Sequence, residues 1–81
     1  MPGNGTTTLA AMQDGKTGRV VEIQGGRGMA GHLEALGIRM GAQLTKVSSQ
    51  FMRGPVVVQL GNTQVAIGFG MASRILVEVT E

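Results

Sequence analysis

The stretch Gly25 to Gly31 reads Gly-Gly-Arg-Gly-Met-Ala-Gly, and from Gly26 it spells G-x-G-x-x-G. That spacing is the one with which a strand-to-helix turn cradles the pyrophosphate of a dinucleotide. A β-forming run, Arg19 to Ile23, precedes it, and a helical stretch, His32 to Leu36, follows it. The chemistry needs more than glycines: a long helix, a second parallel strand, and an acid about 20 residues on for the ribose. Here Gly37 ends the helix, and no Asp or Glu lies between Glu34 and Glu78. At 81 residues the chain is also too short for two βαβ halves. A second phosphate-like fragment, Gly15-Lys16-Thr17, fails as a P-loop because Ala10 stands where that motif needs glycine.

Other catalytic residue types are sparse. His32 is the only histidine and there is no cysteine. On a helix its neighbours at three and four residues are Gly28, Met29, Ala35 and Leu36, none of them an acid or a ligand. A closed metal site wants several N, S or O ligands together, so the reading is an exposed surface histidine. Ser48, Ser49 and Ser73 have no base in view. We therefore expect no catalytic residue, no metal site and no cofactor.

Composition narrows the class further. Seven Lys and Arg stand against five Asp and Glu, a net charge of +2, and the basic residues are scattered singly. Nucleic-acid binders usually cluster theirs, and stacking on single strands needs aromatic rings; Phe51 and Phe69 are the whole aromatic content. No apolar run approaches the ~20 residues that span a bilayer, and the N-terminus lacks the pattern of a secretory signal. A soluble cytoplasmic protein is expected.

The elements that must position these residues are short. Residues 1–7 read as a disordered tail, ahead of one domain over 8–81. Thr8 is placed to cap a helical turn over Leu9 to Met12. Thr17 to Gln24 reads as a strand that the glycines break. Met29, Leu33 and Leu36 share one face of a helix, Gly37 suits its left-handed cap, and Ile38 folds back on the last turn. Gln43 to Ser48, Val56 to Leu60, Gln64 to Gly68 and Arg74 to Thr80 supply four more strands. Gly61-Asn62 is the two-residue turn between the third and fourth of the five, and Gly70 to Ser73 a single 3₁₀ turn. The fold class is mainly β: a small five-stranded SH3-like barrel with a short inserted α-helix. The expected core is Leu9, Val20, Ile23, Leu33, Leu36, Ile38, Leu44, Val47, Val56, Val58, Val65, Ile67, Ile75 and Val77. Of Met12, Met29, Met40, Met52 and Met71, most are expected to fill it.

The order of several pieces is more specific than any one of them. Leu9, Met12, Gly15, Gly18, Val20 and Ile23 precede Gly25-Gly26. Leu33-x-x-Leu36-Gly37-Ile38-x-x-Gly41, Gly54-Pro55-Val56, Val65-Ala66-Ile67-Gly68 and Met71-Ala72-x-x-Ile75-x-Val77 then follow in turn. Over Leu9 to Val79 this resembles the FeoA family, ferrous iron transport protein A. The resemblance implies an SH3-like barrel with a helical insertion and a small non-enzymatic accessory of bacterial ferrous iron uptake. It implies as partner FeoB, the membrane permease with a cytosolic GTP-binding domain. The same module resembles the C-terminal domain of DtxR-type metal-dependent repressors, but no helix-turn-helix stretch precedes it here.

Under that reading the chain acts by binding and modulating the permease, and a weak homo-oligomer is left open. The alternative is a nucleic-acid-binding module, since Gly18-x-Val20-x-x-Ile23-x-x-Gly26 echoes the KOW motif. Two surfaces are candidates for partner binding. One is the helix and its approach, with Arg27, Met29, His32 and Leu33, where Leu33 has the spacing of a core residue. The other is Phe51-Met52-Arg53 in a loop between strands, since an aromatic ring, Met and Arg are enriched at interfaces. Calorimetry with NAD, ATP or GTP is expected to show no binding. Micromolar affinity lost on Gly28→Val would show the glycine motif to be a phosphate site.

Overall fold

The computed structural model describes residues 5–49 and 54–80. Six antiparallel strands form one curved sheet: β1 (Thr6–Thr8), β2 (Thr17–Ile23), β3 (Gln43–Ser49), β4 (Val56–Leu60), β5 (Thr63–Ile67) and β6 (Ile75–Val79). Their order is β1-β6-β2-β3-β4-β5, so β1 and β5 are the two edges and the sheet does not close by pairing them. Helix α1 (Arg27–Ala35) is inserted between β2 and β3, and the one-turn α2 (Phe69–Ala72) links β5 to β6. This is the SH3-like barrel with an inserted helix, carrying one more strand than the sequence suggests. The extra strand starts inside the segment read as a tail: Thr6 and Thr7 lie opposite Glu78 and Val77 of β6. Three threonines carry no apolar signal, but their β-branched side chains suit an edge strand once β6 offers a partner. Residues 1–4 lie outside the described residues, as does the sequence's second candidate surface, Phe51-Met52-Arg53.

The core is a single cluster of Leu9, Met12, Val20, Leu33, Ile38, Leu44, Val56, Val58, Ile67, Ala72, Ile75 and Val77. Ile23, Leu36 and Val65 are only partly buried against it. Val47 is not in it; 40% of its surface is exposed. Leu44 and Lys46 take the inner face of β3, so alternation turns Val47 outward, and a bulge in the β3–β4 ladder between Lys46 and Ser48 leaves Ser48 exposed beside it. An extra residue there breaks the alternation of faces and adds bend. A matching shift in the β2–β6 ladder lies between Val20 and Glu22, where Val21 and Glu22 are exposed in succession and Ile23 turns back toward the core.

With Val47 turned out, the residue that follows Leu44 inward is Lys46, only 2% exposed. Its Nζ donates to the carbonyl oxygens of Ala10, at 2.9 Å, and Met12. Asp14 Oδ1 stands 3.9 Å away. The backbone joins in, since Gly15 N–H donates to the Lys46 carbonyl and Lys46 N–H to the Lys16 carbonyl. Lys46 thus sews the segment Ala10 to Lys16 onto β3. That segment lays Met12 over the core beside Leu9, whose N–H donates to the Ile75 carbonyl. It starts as Thr8's position predicts, with Ala11 N–H donating to Thr8 Oγ1, but it remains a turn rather than a helix.

A buried ammonium is tolerable because carbonyl and carboxylate oxygens surround it. Removing it strands two carbonyls that lose a charge-assisted partner. Lys46→Met is expected to cost about 2–4 kcal/mol, read as a fall in the urea midpoint. A midpoint equal to that of the parent would show that the lysine does not hold the Ala10–Lys16 segment.

Candidate functional site

Helix α1 owes its position to the turn that precedes it. Gln24 N–H donates to the Arg74 carbonyl at 2.7 Å, so β2 leaves the sheet fixed against the start of β6. Gly25 then takes φ +129°, a conformation that side-chain-bearing residues rarely adopt. A Cβ there would lie 2.8 Å from the Met29 sulfur, because Met29 folds back over the turn. Gly26 is the N-cap, extended and with no side-chain cap bond. The first glycine of the run is thus the one the fold demands, and the G-x-G-x-x-G glycines themselves are not: Cβ atoms at Gly26, Gly28 and Gly31 would meet nothing within 4 Å. β3 also returns antiparallel to β2, which is not the parallel crossover of a dinucleotide-binding unit.

The other end of α1 closes as its sequence predicts. Gly37, at φ +95°, donates to the Glu34 carbonyl, and Ile38 N–H to that of Leu33, each at 2.9 Å. These are the two bonds of a Schellman cap, completed by the buried pair Leu33 and Ile38. Leu33 is fully buried and is the one buried residue of the helix. It anchors α1 and offers no surface to a partner, whereas Met29 is half-buried at the border.

At 100° per residue the exposed arc of α1 runs Glu34, Arg27, Gly31, Ala35, Gly28, His32. Charged or polar groups stand at its two margins, and the middle is flat because two of the three residues there are glycines. Beside Glu34 lies an open groove of about 230 Å³ lined by Ile23, Ala30, Glu34, Ile38, Arg39 and Met40. Met40 is 66% exposed and is therefore not a core methionine. The sequence offers Arg27 and His32 on this helix but misses the groove. Met40 follows the capped helix in a turn, and residue type alone does not distinguish a filler from a lip. Among the described residues no cluster of three or more His, Cys, Asp or Glu is placed to hold a metal ion. No helix among them is long and apolar enough to cross a membrane.

Residues 7–79 match the model of the FeoA domain. The chain belongs to the FeoA family. A protein of Methanocaldococcus jannaschii, to which the name Fe(2+) transport protein A is assigned by inference, is 34% identical over 73 residues, 90% of this chain and 87% of its own. A crystal structure described as an iron uptake regulatory protein (FeoA) superimposes with a TM-score of 0.88 at 32% identity, covering 94% of this chain and all of that one. A manganese-dependent transcriptional repressor carries a similar module in a longer chain: TM-score 0.85, 25% identity, 99% of this chain and 45% of that one.

The two ends of the glycine run respond to substitution with opposite sign. Gly25→Ala forces a left-handed conformation and a clash with Met29, so it is expected to destabilise by about 1–3 kcal/mol. Gly28→Ala, in open space on a helix, is expected to stabilise by about 0.5–1 kcal/mol. Thermal midpoints of the two variants check the pair, and equal shifts would contradict this account of the turn.

Proposed function

We propose that this chain is a cytoplasmic, non-enzymatic accessory of ferrous iron uptake. In this reading it docks through the outer face of α1 on the cytosolic part of a FeoB-type GTP-binding permease and modulates it. Family membership carries the proposal, supported by relatives named for Fe(2+) transport and iron uptake regulation. The face itself supports the site. Arg27 and His32 project from margins of a flat glycine-rich strip, and the Ile23–Met40 groove beside it is apolar enough to accept a side chain from a partner.

The helix face retains Gly28 and Gly31 although neither is needed for backbone strain or close packing within the chain. Interior helix glycine is costly, and a surface that must lie close against another backbone is a reason to keep it. The nucleic-acid reading draws less support. Of its scattered cations, Lys46 is used inside the core and Arg19 faces Glu78 at 3.8 Å.

Binding of the protein to the permease's cytosolic domain, measured by biolayer interferometry, tests the site. Arg27→Ala combined with His32→Ala is expected to weaken binding about tenfold or more, in the range of interface hot spots, with the thermal midpoint unchanged. Unaltered affinity in that folded variant would remove the α1 face from the interface. Phe51→Ala and Met52→Ser test the second candidate surface in the same assay.

A further inference from the structure

From Gly54 to Ser73 the chain contains no Asp, Glu, Lys, Arg or His. That uncharged stretch holds β4, β5 and α2, and among the described residues β5 pairs with β4 alone, which leaves its other edge unpaired. Proteins usually blunt such an edge with a lysine, a proline, a bulge or a very short strand. The opposite edge, β1, has only three residues. β5 has none of these protections. It runs five residues, Thr-Gln-Val-Ala-Ile, and its ladder with β4 is unbroken from Leu60 opposite Thr63 to Val56 opposite Ile67.

The hairpin fixes which backbone groups are free. A two-residue turn at Gly61-Asn62 is closed by the bonded pair Leu60 and Thr63, and bonded pairs alternate along an antiparallel ladder. Thr63, Val65 and Ile67 therefore spend their N–H and C=O groups on β4. Gln64 and Ala66 point theirs outward, and both residues are exposed.

We infer that the β5 edge is a self-association surface on which a second copy of this chain adds its own β5, antiparallel, about a two-fold axis at Val65. The register sets Gln64 opposite the copy's Ala66 and the reverse, so the four outward groups of each strand find partners. The absence of charge is the argument for a second copy. No like charges meet across the axis, whereas a charged partner segment would find nothing on this flank to pair with. The contact is smaller than a standard ~1,600 Å² interface, so the dimer is weak and forms with rising concentration. It uses neither Arg27 nor His32 and is independent of the permease reading.

Sedimentation velocity of the full chain from micromolar to millimolar concentration tests it, beside the double variant Gln64→Lys, Ala66→Lys, which sets lysines opposite each other at two exposed positions. The wild-type mass is expected to rise toward that of a dimer, and the variant to remain monomeric with its thermal midpoint kept. Amide exchange in the wild type provides a reading that does not depend on the variant's folding. Gln64 and Ala66 should become protected as concentration rises, while Val65, already bonded to β4, should not change. A wild type that stays monomeric, a dimer undiminished in the folded variant, or exchange at Gln64 and Ala66 that ignores concentration would each overturn the proposal.

Discussion

A sheet that curls without closing leaves one side of its core to be covered by something other than a strand pair, and here Lys46 secures the cover. Its ammonium draws in the carbonyls of Ala10 and Met12, and Asp14 stands behind them. The segment so held brings Met12 over the core beside Leu9 and delivers the chain to β2 in register with β3. A domain of 81 residues without disulfides has little stability to spare, so a cluster of charge-assisted bonds at one seam is a large part of what holds it. The bulge at Val47 is the other half of the device. It bends β3 just beyond Lys46, which alternation from Leu44 sets on the inner side.

What β2 and β3 frame is α1. The helix is too short to persist by itself. It is held at one end by Met29 over Gly25, in the middle by Leu33, and at the other by the cap through Gly37 and Ile38. Everything that fixes it lies on its inner side. Its outer side is left to small residues with Arg27 and His32 at the margins.

Much of this was legible in the sequence where local chemistry decides the outcome. The Gly61-Asn62 turn placed β4 and β5, and the Leu33, Gly37, Ile38 spacing placed the helix end. The rest depends on partners distant in the chain. β1 is a strand only because β6 lies beside it. Lys46 reads as one more solvated cation until the carbonyls of Ala10 and Met12 are seen to face it, and Val47 falls on the outer face because Leu44 and Lys46 take the inner one. Of the site, the α1 face could be read from helical spacing. The groove could not, because it joins Ile23 at the end of β2 to Met40 after the helix, and no periodicity links the two.

The central claim is that the outer face of α1 is the docking surface for a permease's cytosolic domain. Amide chemical shifts of the labelled protein, followed while the unlabelled GTP-binding domain is added, test it most directly. The account predicts shifts that saturate and gather on residues 27–35 and on Met40 at the groove's lip, leaving Lys46 and its carbonyl partners unmoved. Saturating shifts that bypass α1, or a spectrum that does not respond to excess domain, would contradict it.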